Sequence, residues 1–404
     1  MLISNFDSTP LYLYIQSIQE PPYAFLRNDK FLKKDLNNIT NWEEGIYSMP
    51  EGKSNIQSGG DGSPDWDSTA FNMILVNETE KYLTNHLESK PEVPFFTYVA
   101  LGSVHLPHSP PDRYFNGPIV AGKHKGSKHK DLLYEMDLAV GSLIKMLEEK
   151  DVIQDTIIIF ASDNGGLGSK AGGSREASGP LRAYKGTVYE GGHRIPMTIR
   201  WDNGDIPKGE TRSHLVGLND VFASLCDLTG IKVPPGQAVD SVSFANYALD
   251  ETKQEGLRES IGIWKIDAKG VKASAARPRS AALRKGNMKL IYEYKTDVTE
   301  LYDLTSDISE KTNIAAEYPD LVQEMHAELR RIGPCYDQQN KFVVFNPYNN
   351  STKRKGCRWF QRKKNKRCRQ RHEGLAHCGL TCKAERHCDS FLLMTSDVIN
   401  LNEQ

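Results

Sequence analysis

Asp163 and Asn164 set a carboxylate and an amide oxygen side by side in the run SDNGG. The glycines that follow, Gly165 and Gly166, permit a turn tight enough to aim both groups at one point. Paired hard oxygens suit calcium or magnesium; Asp-Asn-Gly-Gly is equally the composition of an ordinary turn. Lys185, in a stretch lined by glycine and aromatic residues, has the charge to bind an anion or the proton to give a leaving group, against the plainer reading of a surface lysine. His105 and His108 stand among prolines in SVHLPHSPPDRY, where an imidazole either moves a proton or makes a structural hydrogen bond. Ser178, Pro180 and Arg182, in SGPLRAYKG, add a Ser-x-Pro-x-Arg spacing that raises the question of a nucleophile.

The surrounding pattern explains how such groups would be positioned. STAFNMILVNETEKYLTNHLES carries Phe71, Ile74, Leu75, Tyr82, Leu83 and Leu87 near helical spacing, and PFFTYVALG follows as an apolar strand run. A second helix, with Leu133, Met136, Val140, Leu143 and Leu147 on one stripe, leads into the β-branched strand DTIIIFASDNGG. RIPMTIRW supplies a third strand, and HLVGLNDVFASLCDLTGI another helix, with Asp220 as its candidate N-cap and Cys226 as a core residue. Nearly all-apolar strands alternating with helices predict an α/β fold, a mainly parallel sheet sandwiched by helices. Ligands of such sheets collect beyond the C-terminal strand ends, where His105 and His108, Asp163 and Asn164, and Lys185 all fall. From about residue 256 the pattern becomes α+β: two strands around a turn in SAALRKGNMKLIYEY, a short strand in ELYDLTSD, and a closing amphipathic helix in EYPDLVQEMHAELRRI. The expected organisation is therefore 1–255 for the main α/β domain, 256–333 for a smaller α+β subdomain, and 334–404 for a Cys-rich basic module.

Composition narrows the setting. With 38% apolar and 25% charged residues in 404, the chain is globular rather than disordered. No window approaches the roughly 18 apolar residues of a membrane span, and the N-terminus lacks the basic start and apolar core of a signal peptide. A net charge of −1 conceals eleven Lys or Arg and no acid in 353–371, so a polyanion contact would involve that run unless it is simply a solvated face. Six of the seven cysteines, Cys335, Cys357, Cys368, Cys378, Cys382 and Cys388, crowd the tail, which suggests disulfides, with a zinc site as the competing reading. Sequons at Asn38, Asn77, Asn349 and Asn350 fit a secreted glycoprotein.

Taken in order, HLPH, YEMDLAVG, IIFASDNGG, GPLRAYKGTVYEGGHRIP and ELYDLTSDISEKTNIA resemble the sulfatases of arylsulfatase type, in the alkaline phosphatase superfamily, over about residues 20 to 333. The resemblance implies an alkaline phosphatase-like fold and a calcium-dependent hydrolase of sulfate esters, whose nucleophile is a formylglycine made from cysteine. Asp163 and Asn164 match the family's later pair of metal ligands, Lys185 the lysine on the sulfate, and His105 the histidine facing the ester oxygen. It further implies a sulfate ester substrate, possible sulfated polysaccharides included, a secreted or lysosome-like compartment, and no nucleic-acid partner. Ser178 falls in the lysine-bearing motif, so it is not the nucleophile; Leu181 also replaces the small residue of the nucleophile signature.

The chain departs from the family in containing no Cys-x-Pro-x-Arg, no opening strand with paired aspartates and no Lys-x-His segment after a nucleophile. A fragment, a split exon and a true pseudoenzyme are the competing explanations, and the fragment is favoured because the later half-site is intact. Loss of the parent strand would leave apolar sheet surface uncovered. The tail resembles small disulfide modules of ShK-toxin-like type, able to hold an anionic polysaccharide or to serve without a ligand. The alternatives to a sulfatase are a phosphatase or phosphodiesterase of the same superfamily, with a Ser or Thr nucleophile and two zinc ions, and a secreted glycan-binding pseudoenzyme.

Overall fold

The computed structural model describes residues 13–14, 23–27, 30–31, 39–168, 177–267 and 277–332. The tail cysteines, the basic run and the sequons at Asn38, Asn349 and Asn350 lie outside them. The chain divides into two compact units, Met1–Thr156 and Ile157–Gln404.

The first unit begins with short antiparallel ladders. Strands β1 (Leu13–Tyr14), β2 (Leu26–Arg27) and β3 (Lys30–Phe31) form one; β4 (Thr40–Trp42) pairs with β7 (Gly60–Gly62) around a hairpin of β5 (Gly45–Met49) and β6 (Gly52–Ile56). Strands this short hold because aromatic residues close over them: Tyr23, Phe25, Trp42, Ile56, Trp66 and Phe71 make one buried cluster. Helix α1 (Phe71–Ser89) seals it, with Ile74 and Leu75 packed against the cluster as the helical spacing predicts. Helix α2 (Lys128–Glu149) starts where Ser127 accepts a hydrogen bond from Lys130 N at 3.2 Å. Its buried face runs through Leu132, Glu135, Ala139 and Met146, whereas Leu133 is 47% exposed. The buried face keeps Leu147 of the predicted stripe but not Leu133, and it takes in Glu135 as a hydrogen-bonding partner.

The run 95–101 is not a strand. It joins no ladder, and Phe96 and Tyr98 are 43% and 84% exposed. Apolar alternation alone does not make a strand, since each residue's N–H and C=O needs a partner chain beside it.

The second unit opens with β8 (Ile158–Ala161), paired antiparallel with β9 (Met197–Arg200). Between them lies the one-turn helix α3 (Glu190–His193). Every ladder between named strands among the described residues is antiparallel, so these strands do not form the expected parallel ladder. Parallel pairing requires a second strand on the other edge of β8, fed by a crossover, and the described residues supply only one edge. Helices α4 (Val221–Leu228) and α5 (Ala245–Leu249) follow. Asp220 does not cap α4: it is fully buried and takes Arg258 through both oxygens, Gly217 N at 2.8 Å and Val242 N at 2.8 Å, tying three loops together. Cys226 is only half-buried and is a free thiol, not a core residue.

Strands β10 (Ser260–Asp267), β11 (Arg277–Lys285), β12 (Met288–Glu293) and β13 (Val298–Asp303) form an antiparallel sheet in sequence order. The turn between β11 and β12 places Gly286 at φ 54°, a left-handed conformation that glycine adopts without penalty. Alternation sets the two faces: Ala281, Leu283, Leu290 and Leu301 pack under Met325 and Leu329 of α6 (Pro319–Ile332). Ala282, Ile291 and Tyr302 face the other way, against Val188 and Leu304. That second face reaches the segment carrying Lys185.

Candidate active site

In the first unit, the loop after residue 101 carries His105 and His108. Its base is gripped by α1 and α2: Asn72 Oδ1 accepts from Gly102 N at 2.8 Å, while Asn72 Nδ2 donates to Glu135 Oε2 at 2.6 Å and to Ser103 Oγ at 2.7 Å. Ser103 Oγ also donates to Glu135 Oε2, at 2.5 Å. Burial holds the Glu135 carboxyl above its ordinary range despite these donors. The half-buried His105 lies with its Nδ1 2.7 Å from Leu106 O, so Nδ1 carries the hydrogen of the neutral ring and Nε2 is the acceptor. His108 packs edge-on against His129, ring centroids 5.3 Å apart, and its buried Nε2 has no partner among the described residues. Burial, followed by repulsion between the two rings, lowers the His108 pKa.

In the second unit, β8 delivers the chain into Ser162–Gly166. Ser162 Oγ donates to Asn164 O at 2.8 Å, Gly165 N to Gly192 O at 3.0 Å, and Lys185 N to Gly166 O at 2.9 Å. Gly191 N donates to Arg182 O at 2.8 Å and Gly192 N to Tyr189 O at 2.8 Å. The glycines are a steric requirement. A Cβ on Gly165 would collide with the carbonyl oxygen of Gly191, one on Gly191 with those of Ala183 and Arg182, and one on Gly192 with that of Thr187. The segments 162–166 and 182–187 and the one-turn helix α3 therefore meet backbone to backbone, which leaves the Asp163–Asn164 pair only a few residues along the chain from a contact with Lys185. Asp163 is exposed, and Asn164 and Lys185 are half-buried.

The donor set suits a hard cation in kind. Asn164 Nδ2 donates to Gly165 O at 3.1 Å, which leaves its carbonyl oxygen as the ligand atom beside the Asp163 carboxylate. No group of three or more His, Cys, Asp or Glu that could hold a metal occurs among the described residues. Two oxygens are a minority of the six to eight that calcium takes.

The Lys185 loop is also clamped by the C-terminal sheet. The Arg182 guanidinium lies 3.9 Å over the Tyr189 ring and donates to Tyr302 Oη at 2.9 Å and Glu310 O at 2.7 Å. Tyr189 and Tyr302 hydroxyls both donate to Glu300 Oε2, at 3.0 and 2.9 Å. So held, Ala183 sits at φ 64°, a left-handed conformation that costs a non-glycine residue about 1 kcal/mol. Ser178 belongs to the same brace, donating to Gly191 O at 3.2 Å.

Behind the Gly191–Gly192 turn lies a buried ionic cluster. Lys289 Nζ donates to Glu190 Oε1 at 2.9 Å and to His193 Nε2 at 3.0 Å, and stands 2.8 Å from Glu310 Oε1. Glu190 N donates to Glu310 Oε2 at 2.8 Å, and Arg194 and Arg284 each reach Glu190 Oε2 at 3.3 Å. Burial opposes ionisation of Glu190, but Lys289, His193 and Arg284 hold its carboxyl below the usual range; Glu310, with Lys289 alone, is pushed up by burial. Burial and the Lys289 charge bring His193 down to about 4. Sequence reasoning did not single out Glu135, Arg182 as a clamp, or Lys289. The available signal was charged residues falling on otherwise apolar faces, at 135 in α2 and 289 in β12.

Comparison with known proteins identifies the family. The sulfatase family model matches residues 22–231, and the model for the C-terminal part of N-sulphoglucosamine sulphohydrolase matches 183–333. An N-acetylgalactosamine-6-O-sulfatase of Bacteroides thetaiotaomicron is 28% identical over 318 residues, 73% of this chain and 56% of its own. A sulfatase of Formosa agariphila is 27% identical over 64% of this chain and 51% of its own. The chain spans about half the length of these relatives. A solved structure from work on the metabolism of multiple glycosaminoglycans by Bacteroides thetaiotaomicron superposes with a TM-score of 0.60 at 26% identity, covering 78% of this chain and 70% of that one. The fold is accordingly of the α/β, alkaline phosphatase-like class. With a family model covering more than half of its residues, the chain belongs to the sulfatase family.

Proposed function

We propose that this chain supplies the later half of the site of a sulfuric ester hydrolase acting on a sulfated saccharide. Asp163 and Asn164 would provide two oxygen ligands to calcium, or to magnesium in its place, and the ion would polarise the sulfate oxygens. Lys185 holds the sulfate and balances the charge that grows on the leaving oxygen. His105, whose Nδ1–H is bound to the Leu106 carbonyl, would be the residue to exchange a proton with the ester oxygen, a role taken from the family resemblance. The formylglycine nucleophile is absent from these 404 residues, which contain no Cys-x-Pro-x-Arg. Turnover by this mechanism would need a nucleophile that these residues do not carry.

The observation that carries this reading is the Lys185 N to Gly166 O bond at 2.9 Å, two residues beyond the Asp163–Asn164 pair. That backbone contact supports a cation on the pair and an anion on the lysine lying near one another. Support for a saccharide comes from the relatives, one of which is named for N-acetylgalactosamine 6-O-sulfate. The test is hydrolysis of aryl sulfate and aryl phosphate by a protein extended with the sequence encoded upstream of Met1. Calcium-dependent sulfate release that is lost in Asp163→Ala and Lys185→Ala supports the reading; preference for phosphate assigns the chain to the phosphatase branch. The missing nucleophile signature favours a second reading, a secreted glycan-binding pseudoenzyme, and an upstream sequence that also lacks Cys-x-Pro-x-Arg would select it.

A further inference from the structure

We propose that Tyr184 is the stacking platform for the sugar ring of the sulfated ligand, and so a specificity-determining residue one position from the sulfate-binding lysine. The proposal rests on the reading of Lys185 given above. A single exposed aromatic side chain is ordinary on a protein surface, but three features separate Tyr184 from that background.

First, the ring is half exposed, at 50%, yet supported from beneath. A Cβ on Gly168 would lie 3.0 Å from three of its ring atoms, so the ring packs closely over the Gly168 backbone and a side chain there would press on it. Second, its backbone is fixed on both sides. Tyr184 O accepts from Thr187 N at 3.2 Å and from Thr187 Oγ1 at 2.8 Å, Lys185 N is bound to Gly166 O, and Ala183 before it is held at φ 64°. A strained, over-determined backbone directly before an exposed ring is the arrangement found where a side chain must be presented rather than buried. Third, the next residue is Lys185. The two side chains leave neighbouring Cα atoms, so a ligand whose anion reaches the ammonium carries its organic group within reach of the Tyr184 ring.

The chemistry fits a pyranose. A ring presenting an apolar C–H face and peripheral hydroxyls matches a phenol that offers a π-face and a polar edge. The Tyr184 hydroxyl makes no hydrogen bond among the described residues, which leaves it available to a sugar hydroxyl.

The experiment titrates the 404-residue chain, in calcium, with N-acetylgalactosamine 6-sulfate, 4-nitrophenyl sulfate and inorganic sulfate. Affinities are read by calorimetry or NMR for wild type, Tyr184→Ala, Tyr184→Phe and Lys185→Ala, with melting temperatures checked for each. Tyr184→Ala should weaken the sugar sulfate about five- to tenfold and inorganic sulfate less than about twofold, while Tyr184→Phe retains most of the sugar affinity. Lys185→Ala should weaken all three ligands. Equal losses for sugar sulfate and inorganic sulfate in Tyr184→Ala would mean that the ring only supports the loop, and would overturn the proposal. A loss confined to the aryl ester would overturn its assignment to sugars. Unchanged sugar affinity in Tyr184→Ala, with Lys185→Ala still defective, would sink the platform while sparing the sulfate reading; indifference to Lys185→Ala would sink that reading as well.

Discussion

Replacing Lys289 with methionine tests whether the C-terminal sheet holds the rim through charge. The ammonium is fully buried, 2.9 Å from Glu190 Oε1 and 2.8 Å from Glu310 Oε1, both carboxylates also fully buried. Methionine preserves most of the volume and removes the cation, so the cost is almost entirely electrostatic. Glu190 keeps Arg194 and Arg284 at 3.3 Å. Glu310 keeps only the Glu190 backbone N–H at 2.8 Å, and becomes a buried carboxylate with no counter-charge. Breaking one partner from a buried pair costs about 3 to 5 kcal/mol. The Glu310 carboxyl, already raised by burial, should rise further in the variant. Its folded-state pKa would then exceed its unfolded one, so the lost stability should return as pH falls through the new value. Urea unfolding at pH 7.5 and 5.5, with hydrogen exchange of the β12 amides, measures both effects. A loss below about 1 kcal/mol, or a loss that does not shrink at the lower pH, would refute the argument that Lys289 neutralises these carboxylates.

His193 should make wild-type stability fall, relative to His193→Asn, as pH drops from about 6.5 towards 4. The His193 pKa is lowered to about 4 in the fold, chiefly by burial and by Lys289, so in that window the unfolded chain binds a proton that the folded chain refuses. The difference amounts to about 2 to 3 kcal/mol by pH 4, and a pH profile of the urea midpoint that is the same in His193→Asn would contradict it. Gly165→Ala should destabilise the second unit by about 2 kcal/mol or more, since its Cβ meets the Gly191 carbonyl; a melting temperature within about 1 °C of wild type would show that the loops have room to part. Arg182→Ala should speed hydrogen exchange at the Lys185, Gly191 and Gly192 amides, with Arg182→Lys intermediate because it keeps charge but not the planar stack on Tyr189. Unaltered exchange would remove Arg182 as the clamp.

Chemistry-bearing residues were legible in the sequence because their identities are local. A carboxylate beside an amide and two glycines, a lysine in an aromatic loop and a histidine between prolines can be read in a few residues each. Helices α1 and α2, strands β8 and β9 and the β11–β12 hairpin were equally legible, since periodicity and turn residues sit within one segment. What reading along the chain did not reach is whatever depends on a partner far away in sequence. The run 95–101 has the composition of a strand, yet only a neighbouring chain makes one. Glu135 was not singled out because its burial is explained by Asn72 and Ser103, and Asp220 looked like a cap because its true partner is Arg258.

The sequence by itself determined which groups are available to bind a cation and an anion, because side-chain chemistry is carried residue by residue. Only the tertiary structure decided that the segments carrying Asp163, Asn164 and Lys185 touch. That follows from a Gly166 carbonyl meeting the Lys185 amide and from glycines at 165, 191 and 192 allowing three backbones to touch. Close approach of this kind is a property of the space between segments, and no single segment encodes it.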